Sequence, residues 1–140
     1  MVVATGYFAK AKAYSDNGYA LVSIARVAPW FLARGLRLYT CDFLAPTDEI
    51  LALKDDPSKY THRYIEEILK HRKPSELIVW LSRVVQQEKT DKVVLMCYES
   101  PSKFCHRHLV AKWLSDMLGL KVDEIDSGML KKEPDLFYEK

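Results

Sequence analysis

The chain reads as one α/β domain built on a small, mainly parallel sheet flanked by helices. Three observations predict this. Short apolar runs of strand length occur at Val2–Thr5, Tyr19–Ile24, Lys92–Tyr98 and Lys121–Ile125. Helical patterns separate most of them, and strands alternating with helices imply parallel pairing through right-handed crossovers. Finally, 140 residues with 49% hydrophobic and 29% charged content suit a single globular core.

Taken in order, Val2–Thr5 is a buried strand ending at Gly6, and the Ala- and Lys-rich Phe8–Tyr14 is a short helix closed by the turn Asp16-Asn17-Gly18. Tyr19–Ile24 is the second strand and delivers Arg26 at its end. Pro29 to Asp42 reads as irregular. Thr47 is an N-cap before Asp48 and Glu49, whose charge suits a first helical turn. Asp56-Pro57 pairs an N-cap with a proline at the first helical position, opening a helix to about Lys70. Pro74 opens another, in which Leu77, Ile78, Leu81, Val84 and Val85 recur at helical spacing. After the strand Lys92–Tyr98, a helix runs from about Phe104 to Leu118 and stops at Gly119. Lys121–Ile125 is a last short strand. The expected layout is a Rossmann-like three-layer domain over residues 1–128 with a charged tail at 129–140.

Several function classes drop out on composition. Nothing approaches the roughly 18 consecutive apolar residues of a membrane span, and the N-terminus lacks the basic and apolar regions of a secretory signal. A cytoplasmic protein is expected. The net charge of +2 is too small to imply nucleic-acid binding through the global field. Three cysteines, Cys41, Cys97 and Cys105, lack framework spacing and suit reduced thiols better than disulfides.

Ligands of open α/β sheets bind beyond the carboxyl ends of the strands. In a parallel sheet that edge collects Gly6 and Tyr7, then Arg26, then Cys97 and Glu99, then Asp126. The start of the long helix adds Cys105, His106 and Arg107. At about 100° per residue, Leu109, Val110, Trp113, Leu114 and Met117 define an apolar face with His106 near its centre. Cys105 and Arg107 then lie on its flanks and His108 faces solvent.

Each candidate carries two readings. His106 is a general acid/base or a core histidine bonded to a backbone carbonyl. Cys105, near a helix N-terminus, is a nucleophile with a favoured thiolate or a small buried hydrophobe. Arg26 closes an apolar run and needs an anionic ligand or a carboxylate, for which Glu99 is the obvious partner. Arg107 opposes the helix dipole and so wants an anion or a carboxylate as well.

A phosphatase loop starting at Cys97 would place Lys103 where an arginine fork is needed, and Pro101 interrupts it. A zinc site from Cys97, Cys105, His106 and His108 is disfavoured by its seven-residue gap and by the divergence of the two histidines, leaving three ligands at best. No metal is assigned. A basic stripe of Lys59, Arg63, Lys70, Arg72 and Lys73 with Tyr60 and Tyr64 is interrupted by Glu66 and Glu67, and reads more simply as a solvated helix face.

With these residues in view, the chain resembles the family called domain of unknown function 488. Leu95-Met-Cys-Tyr-Glu99 matches its strand ending in Cys-x-Glu, and Phe104-Cys-His-Arg107 matches its helix-opening Cys-His-Arg, with Ser100–Lys103 as the short loop between them. Thr5-Gly6-Tyr7 resembles the family's opening motif, and Ser23-Ile-Ala-Arg26 followed by Pro29 resembles its second strand. The resemblance spans most of residues 2–126 and implies a small cytoplasmic α/β domain of the kind found in bacteria and phages.

The expectation is an enzyme-like domain that binds an anionic small molecule or nucleotide at the carboxyl edge. Arg26, Arg107 and Tyr7 would hold the anion, Glu99 or His106 would act as acid/base, and Cys105 as nucleophile. The alternative is a non-catalytic nucleic-acid-binding or regulatory module in which these residues form a structural network. Cofactor and oligomeric state are not readable from the sequence.

Overall fold

A computed structural model describes residues 1–33, 35–100, 103–126, 128 and 130. The strands are β1 (Val2–Tyr7), β2 (Tyr19–Ser23), β3 (Leu38–Thr40), β4 (Lys92–Cys97) and β5 (Asp123–Glu124). The helices are α1 (Ala11–Asp16), α2 (Asp48–Leu51), α3 (Pro57–Glu67), α4 (Pro74–Glu88) and α5 (His106–Leu118). All strands pair in parallel in one five-stranded sheet of order β3-β2-β4-β1-β5. The predicted α/β domain with a parallel sheet is therefore what forms. Pro101 and the tail at 129–140, Leu130 apart, lie outside the described residues.

Local signals set most element boundaries. Thr47 Oγ1 accepts from Ile50 N at 3.2 Å and Asp56 Oδ1 from Lys59 N at 3.2 Å, so both predicted caps form. Pro74 starts α4, with Glu76 Oε1 accepting from Lys73 N at 2.9 Å. Gly119 ends α5 at φ 66°, a left-handed conformation that glycine adopts without penalty. Gly6 is required for another reason: a Cβ there would sit 2.5 Å from the hydroxyl of Tyr14, whose ring presses on β1.

Three expectations about the fold need correction. Leu38–Thr40, inside the stretch expected to be irregular, forms edge strand β3, because β2 offers it a pairing partner in register Leu21↔Leu38. Met117 was placed on the apolar face of α5 but is 63% exposed. The helix buries instead a stripe of His106, Arg107, Val110 and Leu114, so Arg107 lies on the inner face and not on its flank.

Strand order fixes where a ligand can sit. α3 and α4 both pack against α5, and α5 packs against β1 and β4. Right-handed crossovers send the chain leaving β2 and the chain leaving β4 to opposite faces of the sheet. The carboxyl ends of these adjacent strands thus flank a crevice, the usual ligand position of open α/β sheets.

Candidate functional site

That crevice is a cavity of about 490 Å³. One wall follows β2 (Ala25, Arg26, Val27) and another follows β4 (Cys97, Tyr98, Glu99). The crossover segment contributes Asp48, Lys54 and Tyr60, and the start of α5 contributes Phe104, Cys105 and His106. Tyr98 links the first two walls, its hydroxyl donating to the carbonyl of Val27 at 2.6 Å.

His106 sits at the base, 4% exposed. β2 continues past Ser23 far enough for Ile24 N to donate to Met96 O at 3.0 Å, which leaves the Ile24 carbonyl beside α5. His106 Nε2 lies 2.7 Å from that carbonyl. A carbonyl only accepts, so Nε2 carries the hydrogen and Nδ1 keeps its lone pair. Nδ1 faces the Tyr60 hydroxyl at 3.4 Å and Cys105 Sγ at 3.9 Å. Burial, helped by the nearby charge of Arg107, pushes the imidazole pKa down to about 4 against the pull of the Ile24 hydrogen bond. His106 is thus a neutral imidazole at pH 7.

Cys105 is the N-cap residue of α5 and is joined to Cys97 in a disulfide. This corrects the expectation of three reduced thiols: the end of β4 and the start of α5 carry the two sulfurs into contact across the loop between them. Cys41 remains a free thiol, and burial raises its pKa to about 12.

Arg107 has a different surrounding. Its side chain is fully buried, with Nε and Nη2 donating to the Glu124 carboxylate at 2.9–3.2 Å and Nη1 to the Glu99 carbonyl at 2.6 Å and Cys97 Sγ at 3.2 Å. Glu124 also accepts from Thr5 Oγ1 at 2.5 Å. Of the two partners expected for Arg107, the carboxylate is the one present, and every guanidinium nitrogen is engaged. Its assignment as an anion-holding residue is withdrawn on that ground. Tyr7 is corrected with it: its ring stands 6.0 Å from the Arg107 guanidinium and lines no part of the cavity.

Arg26 does reach the cavity, but its partner is Asp48 at 2.7 Å and not Glu99. Both side chains are largely exposed, so the pair is weak and easily rearranged. Glu99 lines the cavity with no side-chain partner among the described residues. Lys54 was not anticipated and likewise has no carboxylate partner among the described residues. Nothing local in the sequence marks it, because only the packing of the α2–α3 segment brings it to the site. Tyr60, read from the sequence on the basic stripe, and Phe104, read as a helix start, meet at the cavity with ring centroids 5.0 Å apart and edge to face.

Neither tyrosine of the basic stripe lies on its surface. Tyr60 and Tyr64 are buried, at 3% and 0% exposure, while Arg63 pairs with Glu67 and Lys70 pairs with Glu66 at 2.5 Å. Among the described residues, no helix is long and apolar enough to cross a membrane.

A family model described as the active DUF488-N3 subclade matches residues 33–118. The matched region contains Cys97, Glu99, Cys105, His106 and Arg107, and leaves out Arg26 and Glu124. No curated protein and no solved structure matches the chain.

Proposed function

The chain belongs to the domain of unknown function 488 family, and on that footing we propose that it is an enzyme-like domain binding an anionic, ring-bearing small molecule of the nucleotide class at the carboxyl edge of its sheet. One observation carries the reading. The cavity brings two cations with little internal claim on them, Arg26 and Lys54, to the same space as the aromatic side chains of Tyr98 and Phe104. Exposed guanidinium and ammonium groups pair with phosphate or carboxylate oxygens, while aromatic faces and edges pack on a flat ring. Glu99, a carboxylate at the cavity with no side-chain partner among the described residues, serves as the general acid/base. The volume of about 490 Å³ lies within the range of small-molecule sites.

Thermal unfolding with AMP, ribose 5-phosphate and inorganic phosphate as probes tests this, since a ligand selective for the native state raises the melting temperature. AMP is expected to stabilise more than phosphate, because phosphate gains nothing from the aromatic walls. Lys54→Ala and Arg26→Ala should each weaken AMP binding about tenfold, about 1.4 kcal/mol, with the melting temperature of the free protein unchanged. If none of the three probes shifts the transition, the anion site is wrong. If AMP binds equally well to both variants, the assigned cations are wrong.

A further inference from the structure

The base of the cavity holds a second constellation, independent of the proposed anion site. Cys97 Sγ, Cys105 Sγ and a nitrogen of His106 all lie within 4.8 Å of one another, and all three residues are buried. From the sequence this set is disfavoured as a zinc site by the seven-residue gap between Cys97 and Cys105 and by the divergence of His106 and His108, which leaves three ligands at best. The fold removes the objection, since three ligands with an open fourth position is the usual make-up of a working zinc centre.

We propose that, once the Cys97–Cys105 disulfide is reduced, Cys97, Cys105 and His106 Nδ1 bind one divalent cation of the zinc class, with its fourth position open to the cavity. Two features outside the ligand set support this. The Ile24 carbonyl accepts from His106 Nε2 at 2.7 Å, which turns the Nδ1 lone pair toward the sulfurs and fixes the tautomer that a metal needs. The buried guanidinium of Arg107 donates to Cys97 Sγ at 3.2 Å, a contact suited to a thiolate. Two sulfurs and one imidazole select zinc-like ions over magnesium or calcium, which prefer all-oxygen sites. A tetrahedral site with usual zinc bond lengths needs sulfur–nitrogen separations of about 3.5 Å, and Cys105 Sγ already lies 3.9 Å from His106 Nδ1. The Cα atoms of the two cysteines are 7.2 Å apart, wider than the roughly 4.4–6.8 Å usual for disulfides, so the backbone leaves room for the sulfurs to separate around an ion.

Metal and disulfide exclude one another. Two molecules of a small thiol reduce the Cys97–Cys105 bond, giving two protein thiols and one small-molecule disulfide. The cation then displaces the two thiol protons. In this form Cys105 and His106 are ligands, in place of the nucleophile and base expected from sequence.

Cobalt(II) titration of the full chain, reduced with a phosphine and without any nucleotide, tests the proposal. One equivalent should produce sulfur-to-cobalt charge-transfer absorption, removed by zinc and absent from the disulfide form. Cys97→Ser and Cys105→Ser should each weaken the band, the double variant should lose it, and His106→Gln should shift the visible cobalt bands. Cys41→Ser should change nothing. No band in the reduced wild type overturns the site, as does an undiminished band in either cysteine variant or its loss in a folded Cys41→Ser protein. Unshifted visible bands in a folded His106→Gln protein overturn the assigned ligand set. If His106→Gln does not fold, the cysteine variants decide. Because no nucleotide is present, failure here leaves the AMP result standing, and the reverse also holds.

Discussion

His106 and Arg107 are adjacent in the first turn of α5 and almost equally buried, at 4% and 0% exposure, yet they stand in opposite chemical situations. On the side of β1 and β5, Arg107 has all three nitrogens bonded, mainly to Glu124. On the side of β2, His106 has one nitrogen bonded to Ile24 and the other facing a hydroxyl 3.4 Å away and a sulfur. Burial alone therefore does not mark a working residue. Bonding capacity that is only weakly used beside a cavity does, and by that measure the β2 side of β4 is the candidate site while the β5 side is its brace.

The comparison breaks most readily at the brace. Glu124→Ala leaves the Arg107 guanidinium buried without its carboxylate, and removing one partner of a buried pair costs about 3–5 kcal/mol. Urea unfolding should show a loss near the lower end, because the Glu124 side chain is 21% exposed. A loss below about 1 kcal/mol, the scale of a surface pair, would erase the distinction between the two sides.

The open side should reveal itself through pH. In metal-free protein with a chelator present, unfolded His106 titrates near its ordinary value of 6.5, whereas the folded imidazole stays neutral down to about 4. The unfolded chain then binds the proton first, so stability falls as pH drops from about 6.5 to about 4 and no further below that. The loss is roughly 3 kcal/mol. His106→Gln should remove this part of the pH profile. Identical profiles for the variant and the wild type between pH 7 and 4 would mean that the ring is not held neutral.

How much of this was legible follows from how local each feature is. The caps at Thr47 and Asp56, the prolines at 57 and 74 and the stop at Gly119 act within one helical turn and could be read directly. The convergence of Arg26, Glu99, Cys105 and His106 followed from parallel topology alone. Edge strand β3 could not be read, since three residues make a strand only when β2 lies beside them. The partner of Arg107 was also out of reach: Glu124 is seventeen residues away, and its position depends on β5 pairing with β1. Helical phase placed His106 correctly and Arg107 one position too far outward, because a charged residue was not expected on the buried stripe.

Smaller effects sharpen the same contrast. Tyr60→Phe keeps the ring packed against Phe104 and removes only the hydroxyl 3.4 Å from His106 Nδ1. A single net hydrogen bond of that length contributes about 1 kcal/mol or less, so the variant should unfold within that margin of wild type. Its cobalt spectrum in the reduced state should be retained, because the hydroxyl is not a ligand. A loss beyond about 2 kcal/mol would place Tyr60 in the brace instead of at the cavity.

The smallest effect is expected on α3. Arg63 pairs with Glu67 one turn away and with Glu49 at 3.8 Å, all three on the surface. Exposed pairs of this kind add little to stability, and Arg63→Ala should leave the urea unfolding midpoint indistinguishable from wild type. The variant bears on function too. A nucleic-acid-binding face would lose affinity with each cation removed, and binding would weaken steeply as salt rises. Here Arg63 already spends its charge on two carboxylates, and the tyrosines that could have stacked on bases are turned into the core. Salt-dependent binding of a single-stranded oligonucleotide that weakens in Arg63→Ala would overturn this reading and move the working surface from the end of the sheet to the outside of α3.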